Sequence, residues 1–409
     1  MIDLRTGSRA GRPRRALLDD GVDAAVRAIV ADGRARGDQA LIELTRRFDG
    51  ADLSAAGLEA GPEELAAAGE AVEPDVRAAI DGMIERLRRL HERQLPNEWS
   101  EDRDGVRFGE IVRPVGRAGC YVPGGRAAYP STVAMTVVPA AVAGVGEIVV
   151  TTPPREDGSL PPEVLHTADR AGADRIIKVG GAQAIATLAY GTESVPAVDT
   201  IVGPGNVYVT AAKRAVAGDV GIDGLAGPTE LVIVADRTAE PSLIEADLAA
   251  QAEHDPLAAA TVVTTDADLI SSLPEALPQT RFVVAADLEQ AAEAVNDLAP
   301  EHLELLLAKP REFLPLVRNA GAIFVGPWSA VPFGDYGVGS NHVLPTMGTA
   351  RFASGLRVTN FVKVSAVVEI AADAAARLGG DVASIARAER LVAHARAVEV
   401  RRGYRGGAR

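Results

Sequence analysis

The sequence predicts an α/β fold built on two doubly wound parallel sheets, with an N-terminal helical arm and a small C-terminal helical segment. Three observations carry this expectation. Short runs rich in Val and Ile alternate with alanine-rich helical stretches, the pattern of βαβ units. The runs come in two consecutive series, one for each sheet. Glycine-rich turns stand where a strand hands over to a helix.

Taken in order, the stretch through Arg15 is rich in Arg, Gly and Pro and reads as an arm without a core of its own. From Asp19 to Phe48 apolar residues recur at helical spacing, first Val22, Ala25, Val26, Ile29 and Val30, then Ala40, Leu41 and Leu44. The region Gly33–Gly37 parts these two helices. A third helix spans Glu73 to Gln94 with Ile80, Met83, Ile84 and Leu87 inward, and His91 is expected at its solvated end. The first strand series is Gly146-Glu-Ile-Val-Val-Thr-Thr, Arg175-Ile-Ile-Lys-Val and Asp199-Thr-Ile-Val. The second is Glu230-Leu-Val-Ile-Val-Ala-Asp, Ala260-Thr-Val-Val-Thr-Thr, Arg281-Phe-Val-Val-Ala and Ala322-Ile-Phe-Val. Asp381 to Arg401 reads as a single helix ending in an Arg-Gly tail.

Composition narrows the function. A chain of 409 residues, 47% hydrophobic, has enough apolar content for two or three domains. Its formal charge of -14 repels phosphate backbones and anionic bilayers, so neither nucleic acid nor a membrane surface is an expected partner. One cysteine excludes an internal disulfide and suits a reducing compartment, so a cytoplasmic protein is expected, without a signal segment.

Chemistry concentrates in a few places. Glu301-His302 sets a carboxylate beside an imidazole, two groups able to share proton transfers near neutrality. Histidine is scarce, with six in the chain. Gln251 and His254 lie one turn apart on a helix beginning near Leu243, and the turn Asp335 to His342 offers further donors. His394 follows Glu389 on the final helix. Imidazoles with a carboxylate suit Zn²⁺; neutral amides are poor zinc donors, which favours Glu253 over Gln251, and spacing does not settle the choice. Each residue taken singly is more simply a cap or a surface group. Three glycine turns, at Tyr121-Val-Pro-Gly-Gly, Gly180-Gly-Ala-Gln and Gly203-Pro-Gly-Asn, could present backbone N–H groups to an anion at one sheet edge. None is the G-x-G-x-x-G fingerprint. Cys120 abuts the first glycine turn, where a thiol nucleophile would stand, but its strand-end setting favours a buried, inert role.

With these stretches set out, the chain resembles the histidinol dehydrogenase family from about Gly21 to Val400. The resemblance rests on the three glycine turns together with Ala226-Gly-Pro-Thr-Glu, Gln251-Ala-Glu-His-Asp-Pro, Ala299-Pro-Glu-His-Leu, Gly334-Asp-Tyr, Ser340-Asn-His-Val-Leu-Pro-Thr and Ala393-His-Ala-Arg-Ala-Val. It implies a homodimeric enzyme that oxidises L-histidinol through histidinal to L-histidine, reducing two NAD⁺ and carrying one zinc ion per subunit. Gln251, His254, Asp335 and His394 would hold the zinc, which overrules Glu253. Glu301 and His302 would be the catalytic pair. Tyr121, Gln183 and Asn206 would contact NAD. Thr229, His342 and Glu389 would contact substrate, together with His302 and the four zinc-holding residues. Thr229 stands where the family often has serine, and it keeps the hydroxyl. The C-terminal segment would complete the partner subunit's site.

The domains implied are an arm over 1–17, a discontinuous Rossmann-like domain over 18–120 and 229–356, a second over 121–228 with the NAD turns, and a dimerisation segment over 357–409. Two other readings fit the residues alone. One is a zinc hydrolase with Glu301 activating water, against which the glycine turns argue; the other is a two-lobed binder of a small polar ligand.

Overall fold

The computed structural model describes residues 2–6, 20–124, 127–254, 256–273, 280–402 and 404. It divides into two compact units, Met1–Gln94 with Val115–Phe361, and Leu95–Pro114 with Val362–Arg409. Most of the expected arm, and most of the Arg-Gly tail, lie outside the described residues.

The strands, in chain order, are β1 (Ile2–Asp3), β2 (Trp99–Arg103), β3 (Val106–Pro114), β4 (Arg117–Tyr121), β5 (Glu147–Thr151), β6 (Arg175–Ile177) and β7 (Thr200–Val202). They continue with β8 (Gly221–Ile222), β9 (Glu230–Ala235), β10 (Ala259–Thr264), β11 (Thr280–Val284), β12 (His302–Leu306), β13 (Ala322–Val325) and β14 (Val362–Ile370). The first unit holds two parallel sheets, ordered β6-β5-β4-β7-β8 and β1-β11-β10-β9-β12-β13. Leaving out β1, each follows the doubly wound order 3-2-1-4-5, so each has one pair of neighbouring strands where the winding reverses. These pairs are β4/β7 and β9/β12, and both become important below.

Strand periodicity assigns the core. In the larger sheet Val232, Val234, Val263 and Val283 face one apolar cluster, whereas Leu231, Ile233, Ala260 and Val262 face another. Burying each such side chain contributes about 1.5–3 kcal/mol. The residues of β12 are all buried, which fits a strand covered by helices on both faces.

The structure departs from the sequence reading in several places. Residues Ile2 and Asp3 are not a free arm: they pair in parallel with Val283 and Val284 and add an edge strand. His91 is fully buried. Its spacing from Ile80, Ile84 and Leu87 keeps it on the inward face of helix Pro74–Glu92, and Gln94 Oε1 at 2.9 Å satisfies its Nδ1. The expectation groups 18–120 with 229–356, but Val26, Val30, Leu41, Leu53 and Leu58 share a core with Ile177, Ile185, Ile201 and Val209 of the β4–β8 sheet. That sheet also begins with β4, ahead of residue 121.

In the second unit β14, β3 and β2 form an antiparallel sheet, so the C-terminal segment is not wholly helical. The expected single helix over 381–401 is two, Ala372–Ala388 and Val392–Arg402. Arg390 adopts φ of 63°, which breaks the right-handed path between them. Gly379 lets the helices meet, since a Cβ there would come within 2.6 Å of Arg402 Cγ. Among the described residues no helix is long and apolar enough to cross a membrane.

Candidate active site

Helix Leu288–Leu298 ends at Ala299, whose φ of 50° turns the chain so that Glu301 arrives at the amino end of β12 and His302 begins it. The amide of Ala322 donates to the Glu301 carbonyl at 2.9 Å, and Gly321 is tight against the same oxygen (2.6 Å from a would-be Cβ). Across the reversal pair, the Glu230 amide donates to Glu301 Oε2 at 3.0 Å. The dyad is therefore fixed by backbone on both sides.

Its electrostatics are unusual. Glu301 is buried, and desolvation pushes its carboxyl up to about 7 against the opposing pull of Thr229, the Glu230 amide and His254. Glu230 alongside is half-buried, and desolvation together with repulsion by Glu301 raises it to about 7 as well. His302 is buried too, and desolvation lowers its imidazole, with Asp335 pulling the other way. Neither ring nitrogen of His302 has a hydrogen-bond partner among the described residues, and Nδ1 lies 3.6 Å from Glu301 Oε2. A neutral imidazole keeps one unprotonated nitrogen, which in His302 is not engaged by a described residue and can take a proton.

Donors gather around the dyad. Gln251 and His254 occupy the last turn of helix Pro241–His254; Gln251 is buried and His254 exposed. The Gln251 amide nitrogen points to Thr229 Oγ1 and the Ala259 carbonyl, each 3.4 Å away, which leaves its oxygen as the donor for a cation. Asp335, in helix Val331–Tyr336, is buried, and its carboxyl is pushed up to about 6 by desolvation, with His302 opposing. His342 has Nε2 3.4 Å from Thr132 Oγ1, and burial lowers its imidazole to about 4, with the nearby His302 and His254 adding to the drop. Mutual electrostatic effects thus bring Glu301, His302, His254, Asp335 and His342 into one neighbourhood.

Among the described residues no three His, Cys, Asp or Glu side chains form a ready-made metal cluster. An amide oxygen, an imidazole and a desolvated carboxylate are nevertheless donors zinc accepts, and no hydrogen bond from a described residue satisfies the Asp335 carboxylate, so the residues fit a cation that lacks one further ligand. Glu389 and His394 belong to the second unit and are both exposed, His394 on helix Val392–Arg402 and Glu389 just beyond helix Ala372–Ala388.

The glycine turns converge at the carboxyl edge of the other sheet. Gly124 and Gly180 both press on Pro153, where a Cβ would come within 2.6 and 2.5 Å of it. Tyr121 ends β4, and its hydroxyl accepts from the Gly181 amide at 3.2 Å. Gly203, ending β7, has φ of 116°, and a Cβ there would fall 2.0 Å from the Tyr121 carbonyl. Gln183 is buried in the first turn of helix Gly181–Tyr190. Asn206 caps helix Val207–Val216 through Oδ1, leaving its amide nitrogen for a ligand. Gly125 and Arg126 of the first turn lie outside the described residues. Cys120 is fully buried with its thiol pushed up to about 12, so it is no nucleophile.

A cavity of about 350 Å³ joins the two regions, lined by Gly203 and Pro204 on one side and by Thr229, Glu301 and His342 on the other. Sequence reasoning missed Glu230 and Thr132. Glu230 carried the signal of adjacency to Thr229, whereas Thr132, on helix Pro130–Ala143, carried none.

The histidinol dehydrogenase family model matches residues 12–402. The histidinol dehydrogenase of Halalkalibacterium halodurans is 49% identical over 94% of this chain and 95% of its own length. That of Moorella thermoacetica is 48% identical over 98% and 100%. The crystal structure of histidinol dehydrogenase from Elizabethkingia anophelis superposes with a TM-score of 0.90 at 35% identity, covering 96% of this chain and 94% of the other.

Proposed function

The chain belongs to the histidinol dehydrogenase family, and from that premise we propose how its residues carry out the reaction. It is an oxidoreductase of histidine biosynthesis, taking L-histidinol through L-histidinal to L-histidine with two NAD⁺ as acceptors. The reading is carried by one observation: Glu301, of the buried Glu301–His302 pair, lines a cavity shared with the Gly203 turn.

In the first oxidation His302 takes the hydroxyl proton of histidinol while the carbinol carbon gives up hydride to NAD⁺. In the second, Glu301 takes a proton from the water whose oxygen bonds to the aldehyde carbon, while the protonated His302 returns its proton to the carbonyl oxygen, which gives the hydrate and a neutral imidazole. The hydrate then loses its hydride to a second NAD⁺, and His302 again accepts the hydroxyl proton. Proton transfers of this kind typically contribute about 10² to 10⁴ in rate. Thr229, His342 and Glu389 orient the substrate, and Tyr121, Gln183 and Asn206 bind the dinucleotide.

Gln251, His254 and Asp335 would hold zinc, with the partner subunit's His394 as fourth ligand. When bound, the metal supplies positive charge that orients the substrate's imidazole and amine. A homodimer follows from this arrangement. It is supported by an apolar sheet face in the second unit, where Val364, Val368 and Ile370 of β14 are 52%, 64% and 52% exposed. The reducing-compartment argument from one buried thiol favours the cytoplasm.

The deciding measurement is NADH formed per histidinol consumed. Two are expected, with turnover abolished by a chelator and restored by zinc. A yield of one, or activity indifferent to chelation, would refute the scheme.

A further inference from the structure

Lys213 and Asp223 form an ion pair that is almost wholly buried, their side chains 3% and 8% exposed, and the reaction scheme gives it no task. Lys213 lies on helix Val207–Val216 and Asp223 directly after β8. The two charges meet in a direct hydrogen bond. Each also reaches the same residue: Lys213 Nζ donates to the Gly203 carbonyl at 2.7 Å, and Asp223 Oδ2 accepts from the Gly203 amide at 2.7 Å. Both hydrogen-bonding groups of one glycine are thus held by one ion pair. Asp223 Oδ1 takes the Gly224 amide as well, at 2.8 Å.

A buried ion pair of this kind is a poor source of net stability, because desolvation offsets much of the attraction, and apolar replacements are often neutral. What the pair does supply is direction. Gly203 sits at φ of 116°, in a region glycine enters and leaves freely, packed against the Tyr121 carbonyl. Asn206 is held by its helix cap, so the link between it and β7, Gly203 to Gly205, is the part whose direction the ion pair sets. Gly203, Lys213 and Asp223 all line the cavity that reaches Thr229 and Glu301.

We propose that the Lys213–Asp223 pair is a positioning clamp for the cofactor turn, setting the angle at which residues 203–206 meet the dinucleotide and so governing cofactor affinity, not the chemical steps. The proposal rests on the reading of that turn as an NAD contact.

The test replaces both charges together, Lys213→Met with Asp223→Leu, so that no lone charge is left buried. In the zinc-loaded enzyme the KM for NAD⁺ is expected to rise about tenfold, with kcat at saturating NAD⁺ and the KM for histidinol within about twofold of wild type. NADH titration followed by fluorescence should weaken in parallel. A merely structural pair would lower the melting temperature and leave the KM for NAD⁺ unchanged, which would overturn the clamp. If the double variant does not fold, Lys213→Arg keeps the charge but not the compact ammonium geometry and should give a smaller shift of the same kind; no shift there would also overturn it. Wild-type enzyme that binds no NADH would overturn the cofactor reading itself, a result distinct from wild type and variant binding equally well.

Discussion

Burial moves the two members of the dyad in opposite directions, Glu301 up to about 7 and His302 down from 6.5, so their ordinary order of acidity is reversed. Glu301 acts as a base only when ionised. The oxidation of histidinal should therefore accelerate as pH rises through about 7, the value its carboxyl reaches. In Glu301→Gln this limb should vanish and the aldehyde step slow by about 10² to 10⁴, while one NADH still forms from histidinol. Rapid-mixing traces of NADH from histidinal between pH 6 and 8 would decide it; an unaltered limb in the variant would move the role to another residue. Glu301 and His302 stand out in the sequence because a carboxylate and an imidazole are adjacent in it, whereas Gln251 comes only from the family resemblance, since donor chemistry alone favours Glu253. Glu230 and Lys213 were not legible. A lone Glu at a strand start and a lone Lys on a helix look like surface charges until a distant segment buries them.

At the level of elements, two neighbours of the site face each other without a cation. Glu304 stands two residues beyond His302 on β12, so its side chain shares that face of the sheet. Asp247 sits one turn before Gln251 on helix Pro241–His254. Both are buried, and Glu304 Oε2 has no hydrogen-bond partner among the described residues. Two carboxylates cannot donate to each other, so their contact becomes a hydrogen bond when one keeps a proton. Burial, with Asp247 adding to it, raises Glu304 to about 9 from 4.5. A raised carboxyl stabilises the fold fully below pH 4.5 and loses that contribution as pH climbs toward 9, with a slope of at most about 1.4 kcal/mol per pH unit for one proton. Glu304→Gln should flatten the fall in urea stability between pH 6 and 9. A variant curve parallel to wild type would show that the pair does not share a proton.

The parallel strands β5, β6, β7, β9 and β10 were readable because each is a largely buried run carrying Val or Ile, whereas β1, β8 and β12 lack that pattern and were not read. The antiparallel sheet was not readable either, since β2 reads Trp-Ser-Glu-Asp-Arg and is exposed along its whole length. The break at Arg390 was hidden for another reason: a left-handed arginine has no sequence signature, unlike a glycine.

For the molecule as a whole, the proposal that His394 serves the partner subunit can be tested by mixing. His254→Ala and His394→Ala should each be inactive alone. If His394 serves the partner, a mixed dimer contains one site with both lesions and one with neither, so random re-pairing should restore about one quarter of wild-type activity. No recovery, despite exchange of subunits confirmed by native mass spectrometry, would place His394 in its own chain's site. The family resemblance supplied this expectation; periodicity could not, because a shared site leaves no trace in the pattern of one chain.

The two sheets have the same winding, yet the dyad lies at the amino end of the reversal pair β9/β12 and the glycine turns at the carboxyl end of β4/β7. Sheet direction therefore sorts charge. At the dyad the chain presents helix C-termini, those of Pro241–His254 and Leu288–Leu298, whose partial negative charge favours a metal ion and a substrate ammonium by about 0.3–1 kcal/mol each. At the turns it presents the N-termini of Gly181–Tyr190 and Val207–Val216, which favour a pyrophosphate. A cationic alcohol and an anionic dinucleotide can thus approach one cavity from opposite ends, each repelled from the other's berth before any side chain has made contact.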